Sequence, residues 1–118
     1  MEIPFIDQLA IQLTNTLPGR NAHIRMAPFP GRFDELPTQD TKNAAVMILI
    51  MGDSDNLYFP LIKRNPISVR DPHKGQVSLP GGRQEVSDYN LLFTALRETQ
   101  EEIGIPADQI KIVGALSP

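Results

Sequence analysis

Three glutamates near the end of a predicted helix are the residues of this sequence best suited to chemistry. Glu98, Glu101 and Glu102 are three and four positions apart, so a helix makes them neighbours on its surface. Like charges at this spacing repel unless a cation offsets them, and carboxylate oxygens are ligands that suit Mg²⁺ or Mn²⁺. The pattern is typical either of a divalent metal site or of a solvated helix face on which Arg97 pairs with Glu101.

Two consecutive glycines precede this helix in the chain. Gly81 and Gly82 follow Pro80, and glycine permits backbone conformations and close approaches that a Cβ would block. A strand, a glycine loop and a helix rich in carboxylates, in that order, predict a pocket for phosphate and metal.

The elements that must position these residues follow from the spacing of apolar side chains. Residues 87–103 predict a helix because their apolar residues fall on one face, and Gly104 with Pro106 ends it. Upstream, residues 44–51 predict a strand buried on both faces, and residues 57–64 a second strand paired with it as a hairpin. Pro60 indicates an edge or a bulge. Shorter strands are predicted at 76–79 and 110–116.

The first third of the chain has a different character. Apolar residues at steps of three and four predict a helix over residues 3–17, which Pro18-Gly19 ends. Residues 18–43 contain four prolines and two glycines, which predicts an irregular connector. We therefore divide the chain into an N-terminal helix with its connector, residues 1–43, and a main domain, residues 44–118.

Composition narrows the class of protein. The 118 residues include 41% hydrophobic and 21% charged side chains, as in ordinary soluble domains. The net charge of −3 and the scattered lysines and arginines predict no nucleic-acid partner, and the absence of cysteine excludes disulfides and thiolate metal sites. No apolar run is long enough for a membrane span, and the N-terminus lacks the basic region of a signal peptide. We expect a cytoplasmic protein with no membrane partner.

The glycines and the carboxylate helix together resemble the Nudix box, the signature of a family of metal-dependent diphosphate hydrolases. Gly81-Gly82 is followed by Arg97-Glu98-Thr99-Gln100-Glu101-Glu102-Ile103-Gly104. The second half of the box matches apart from polar Thr99. The first half departs, because Tyr89 stands where the usual box has a glutamate and Asp88 lies one step earlier.

Further motifs are similar to those of the coenzyme A pyrophosphatase branch of this family. That branch has a lengthened box with an aspartate near the helix start, and it carries Thr-Ala-Leu before the Arg-Glu pair. Upstream, the branch carries an arginine after the second strand, then His-x-Gly-Gln and Pro-Gly-Gly. The corresponding segments of this chain are Thr94-Ala95-Leu96, Arg64, His73-Lys74-Gly75-Gln76 and Pro80-Gly81-Gly82. The resemblance covers residues 44–118.

The resemblance implies roles for individual residues. Glu98 and Glu102 would be direct ligands of Mg²⁺ or Mn²⁺, while Glu101 would bind a second ion or orient a water. Arg97 would hold the glutamates by ion pairing, and Glu98 or Glu101 could act as the general base. The residues expected to bind substrate are Arg64, Lys74, Gly81, Gly82 and Arg83.

The resemblance also implies a fold and a function. We expect an α/β protein with the Nudix-type α/β/α sandwich and a mixed sheet, truncated at the C-terminus and able to form a homo-oligomer through the unfinished sheet. The expected reaction is hydrolysis of the diphosphate of coenzyme A or an acyl-CoA to 3′,5′-ADP and 4′-phosphopantetheine. The alternatives are a Nudix hydrolase for ADP-ribose or a dinucleotide, and a catalytically silent nucleotide-binding module.

Overall fold

The computed structural model describes residues 3–118, which divide into two units. The first two residues of the predicted 1–43 segment lie outside the described residues. One unit contains the chain up to Thr41 together with Ile112–Pro118, and the other is Lys42–Lys111. The second unit carries every residue predicted for the site.

The first unit contains two helices, α1 at Pro4–Leu13 and α2 at Arg20–Arg25. The helix predicted over residues 3–17 is therefore shorter, because the hydroxyl and the backbone N–H of Thr14 both donate to the carbonyl of Ile11 and close its last turn. The connector predicted as irregular begins with α2. Gly19 precedes α2 with a φ of 58°, a conformation that glycine adopts readily.

The strand predicted at 110–116 is wrong. The backbone N–H of Ile110 instead donates to Ala107 and closes a 3₁₀ turn over Ala107–Gln109. Within residues 3–118, no strand partner is found for residues 110–116. Gly114 lies against Leu13, so closely that an added Cβ would stand 2.7 Å from the Leu13 Cδ1.

The second unit contains short strands and one long helix. The strands are β1 Ala44–Val46, β2 Met51–Gly52, β3 Leu57–Tyr58, β4 Ile62–Lys63, β5 Val77–Ser78 and β6 Gly81–Arg83, and the helix is α3 Leu91–Ile103. The pairs β1–β6, β2–β3 and β4–β5 are all antiparallel. Helices and strands together agree with the predicted α/β class, while the sandwich and the mixed sheet stay predictions.

The apolar run at 44–51 does not form one strand buried on both faces. It divides into β1 and β2, and the residues Val46 and Ile48 are 61% and 46% exposed. The predicted hairpin is confirmed in a shorter form, because the Asp53 carboxylate accepts the backbone N–H groups of Asp55 and Asn56 and shapes the turn. Pro60 lies in the break between β3 and β4, since it has no N–H to donate to a ladder.

The glycines predicted as a loop are instead part of a strand. Gly81 and Gly82 belong to β6 and pair with Val46 and Ala45 of β1. A Cβ at Gly81 would collide with the carbonyl oxygen of Ala45 and stand 2.6 Å from the Val46 Cα. Gly81 is therefore required by the close approach of the two strands.

Helix α3 packs against β1 and β6. It starts at Leu91, later than predicted, because the Asn90 side chain caps it by accepting the N–H of Phe93 at 2.8 Å. It ends at Gly104, whose φ is 75°. Buried Thr99, which breaks the apolar pattern, donates its hydroxyl to the carbonyl of Ala95 at 2.7 Å, so its polar group is satisfied.

Among residues 3–118, no helix has the length and apolar character needed to cross a membrane.

Candidate active site

A buried ion pair between Asp88 and Arg97 anchors the carboxylate helix. Arg97 donates from Nε and Nη2 to the two oxygens of Asp88, each at 2.9 Å, in a bidentate fork. The Asp88 side chain is fully buried, and it also accepts the backbone N–H of Glu85 and the hydroxyl of Thr94. These donors hold the pKa of Asp88 well below its usual range, Arg97 contributing most. The same pair raises the pKa of Arg97.

The sequence prediction missed this role of Asp88. In the sequence, Asp88 is only a shifted counterpart of the usual glutamate of the box. Its position near the predicted helix start was the available signal, but its burial and its bond to Arg97 depend on the fold. Arg97 is thus held by Asp88, with the carbonyl of Arg83 accepting its Nη2 at 3.1 Å.

The remaining face of Arg97 meets the predicted carboxylates. Its Nη1 lies 3.0 Å from Glu98 Oε1 and 3.2 Å from both carboxylate oxygens of Glu101. A single guanidinium therefore joins the buried Asp88 to two of the three predicted glutamates. The ion pairing expected of Arg97 is present, and it involves four carboxylates, because Glu85 also lies 3.5 Å from Arg97 Nη1.

Glu98 lies against the second glycine of β6. A Cβ at Gly82 would stand 2.6 Å from the Cδ and Oε1 of Glu98, so only glycine leaves room for this carboxylate. Burial raises the pKa of Glu98, and the charges of Glu101 and Glu102 act in the same direction, while Arg97 opposes them. The site therefore holds an incompletely neutralised negative charge beside a strand.

The Glu102 carboxylate accepts a hydrogen bond from the backbone of Gly81, and its charge contributes to the pKa of Arg64. Glu102 Oε1 accepts the backbone N–H of Gly81 at 3.3 Å. The pKa of Arg64 is raised chiefly by its hydrogen bond to Asp71, and the charge of Glu102 adds to the shift. The Arg64 guanidinium is therefore held chiefly by Asp71, and the charge of Glu102 makes a smaller favourable contribution.

Two other predicted substrate-binding residues are not joined to the carboxylates. In the part of the chain that the structure describes, no hydrogen bond or ion pair links the side chain of Lys74 or of Arg83 to α3. Arg83 contributes only its backbone carbonyl, which accepts from Arg97. Their binding roles stay predictions.

The glutamates fit a divalent cation in charge and donor type. Glu98 is desolvated and has a raised pKa, so a nearby cation would stabilise its ionised form. The geometry of a metal site is not complete, because no three acidic or histidine side chains within residues 3–118 converge closely enough to hold an ion. The Arg97 guanidinium supplies the positive charge between Glu98 and Glu101.

Asp88→Asn should make stability less sensitive to acid. Because the folded pKa of Asp88 is depressed, its ionised form stabilises the fold above the ordinary aspartate pKa of about 3.9, and this contribution is lost as pH falls through the folded pKa. We expect the wild type to exceed the variant in urea midpoint at neutral pH and to lose this advantage progressively below about pH 4. Urea titrations followed by circular dichroism measure the difference, and an advantage equal at both ends of the pH series would contradict the assignment.

Comparison with known proteins identifies the family of this chain. A family model described as the NUDIX domain matches residues 41–118. The uncharacterized Nudix hydrolase NudL of Yersinia enterocolitica is 37% identical over 91 residues, which is 77% of this chain and 43% of that protein. NudL of Klebsiella aerogenes is 37% identical over 82 residues, 70% of this chain and 66% of the relative. The mitochondrial Nudix hydrolase 15 of Arabidopsis thaliana is 44% identical over 78 residues, 65% of this chain and 27% of the relative.

The chain belongs to the Nudix hydrolase family, whose members generally need divalent metal ions. It spans less than two thirds of the length of each of these relatives.

Proposed function

We propose that the protein is a divalent-metal-dependent diphosphatase that hydrolyses a nucleoside diphosphate linkage in coenzyme A or a short acyl-CoA. The observation that carries the proposal is the placement of Glu98 against Gly82 and of Glu102 against Gly81, at one edge of β6. β6 therefore places two carboxylates suited to a cation against backbone positions at which a larger residue would not fit.

The carboxylates would hold the cation and handle the proton. Glu98 and Glu102 would bind Mg²⁺ or Mn²⁺ directly, with Glu101 as a further ligand, and the bound ion would neutralise charge on the diphosphate oxygens. Water attacks one phosphorus, a new P–O bond forms, and the bridging P–O bond breaks. Glu98 or Glu101 would accept the proton of the water.

The basic residues favour a substrate with an additional phosphate. Arg64 follows β4, Lys74 lies in the next loop and Arg83 ends β6. Arginine holds phosphate by a planar fork and lysine by a point charge. Coenzyme A carries a 3′-phosphate in addition to its diphosphate, so it offers these cations more charge than ADP-ribose does. The segments 73–76 and 94–96, which resemble the coenzyme A pyrophosphatase branch, support the same choice.

A substrate panel tests the proposal. Coenzyme A, 3′-dephospho-coenzyme A, ADP-ribose and NADH would be compared at equal Mg²⁺ by their kcat/KM. We expect coenzyme A to be preferred, and removal of its 3′-phosphate to lower kcat/KM at least about tenfold, or about 1.4 kcal/mol of transition-state binding. Equal rates with the dephospho form, or a preference for ADP-ribose, would overturn the substrate and leave the diphosphate chemistry. Binding of coenzyme A without hydrolysis would instead indicate a silent nucleotide-binding module.

A further inference from the structure

Arg64 is held from one side only. Its Nε donates to Asp71 Oδ2 at 2.8 Å. In the described chain, no hydrogen bond to its Nη1 or Nη2 is found, and 42% of the side chain is exposed. The two Nη groups form the outer edge of the guanidinium, which is one of the edges that can donate two parallel hydrogen bonds to a phosphate.

Asp71 is itself fixed by the loop that it belongs to. Its Oδ1 accepts the backbone N–H of His73 at 2.9 Å, and its carbonyl accepts the N–H of Lys74. The loop between Arg64 and Gln76 is closed at its base, because the Arg64 N–H donates to Gln76 at 2.8 Å. Both ends of the ion pair are therefore attached to a closed hairpin.

The ion pair between Arg64 and Asp71 is not expected to add much to the stability of the fold. Ion pairs exposed to solvent contribute little to folding, because water and salt screen them and ordering two side chains costs entropy. The Asp71 side chain is nevertheless mostly covered, at 19% exposed. Asp71 is therefore held in place while the Arg64 side chain stays 42% exposed and open to a ligand.

We propose that Asp71 is a positioning residue that binds the Nε of Arg64 and thereby directs the two Nη groups toward a phosphate of the substrate. This inference rests on the proposed function, because it takes Arg64 as a phosphate-binding residue. It also predicts that the site selects among phosphates by their orientation. A carboxylate at Nε fixes the plane of the guanidinium, so a phosphate that lies in that plane is favoured over one that approaches its face.

A double-mutant cycle with inorganic pyrophosphate tests the inference by isothermal titration, a measurement that needs no turnover. We expect Asp71→Ala to weaken pyrophosphate binding about fivefold in the wild-type background and to have no effect in an Arg64→Ala background. Asn65→Ala is the matched control, because the Asn65 side chain accepts the N–H of Ile67 at 3.1 Å in the same loop without contacting Arg64. The control should bind as the wild type does.

Each other outcome overturns the inference. Tighter binding by Asp71→Ala would show that Asp71 competes with the ligand for Arg64. An equal loss in the Arg64→Ala background, or the same loss in Asn65→Ala, would show a general effect on the loop. Failure of the wild type to bind pyrophosphate would remove the phosphate-binding role of Arg64. Coenzyme A hydrolysis, measured separately on the same variants, shows whether the proposed function survives when the positioning role does not.

Discussion

Glu98→Gln is expected to lower Mg²⁺-dependent diphosphate hydrolysis about a hundredfold, equivalent to about 2.7 kcal/mol of transition-state stabilisation. The change removes the charge of a proposed ligand and keeps its size. Stability at neutral pH should not fall much. Burial raises the pKa of Glu98, so ionisation costs stability as pH rises past the ordinary glutamate range, and glutamine removes that cost while losing part of the contact with Arg97.

Glu85→Gln is the matched control for this prediction. Glu85 is also a carboxylate that pairs with Arg97, at 3.5 Å, but it lies in the segment before α3 and its side chain is 60% exposed. The control should hydrolyse the substrate within about twofold of the wild type. Initial rates across a Mg²⁺ series, with melting curves for each protein, make the comparison. Equal losses in both variants would show that the charge around Arg97, and not a ligand at Glu98, is what matters.

Alanine should have different effects at the two glycines of β6, lowering stability at Gly81 and activity at Gly82. Gly81→Ala is expected to lower the melting temperature by roughly 10 °C, because its Cβ would meet the backbone of β1, which cannot move without separating the strands. Gly82→Ala should melt near the wild type, since the atoms nearest its Cβ belong to the end of the Glu98 side chain, which can turn away. The displaced carboxylate should then cost about tenfold or more in hydrolysis.

Differential scanning calorimetry and the same rate assay separate these effects. A variant at Gly82 that melts far below the wild type would show that this glycine serves the strand pair. A variant at Gly81 with unchanged melting would show that β1 and β6 are less closely packed than their register indicates.

Local patterns predicted the carboxylate helix well and the strands less well. The helix period, Gly104 and the glutamate spacing depend on residues close together in sequence, so α3 and its carboxylates could be predicted. The strands depend on distant partners. The apolar residues 44–51 contain nothing that shows which part will pair with β6, and the pairing of Ala45 with Gly82 joins segments far apart in the chain. The same limit explains the failed strand at 110–116, which has a suitable composition but no ladder.

The sequence predicted which glutamates and cations belong to the site, but not the hydrogen bonds that hold them. The glutamates were named from their spacing, because helix geometry relates them directly, and the role of Arg97 came from the resemblance to the Nudix box. Asp88 was not, because its role depends on the loop that turns it inward to Arg97. Arg64 was named as a cation, but its hydrogen bond to Asp71 depends on the conformation of the intervening loop.

The bonds of Asp88 and Arg97 also have a consequence for motion. Asp88 accepts from the Glu85 amide and from the Thr94 hydroxyl, while Arg97 extends the same network to the Arg83 carbonyl. The segment before α3, the first turns of α3 and the end of β6 are therefore cross-linked at one buried point. Local opening of any one of them breaks bonds to the others, so we expect these parts to unfold together. Fraying that begins at the N-terminus of α3 must break these hydrogen bonds before it reaches Glu98. We therefore expect Glu98, Glu101 and Glu102 to keep their relative positions during small fluctuations.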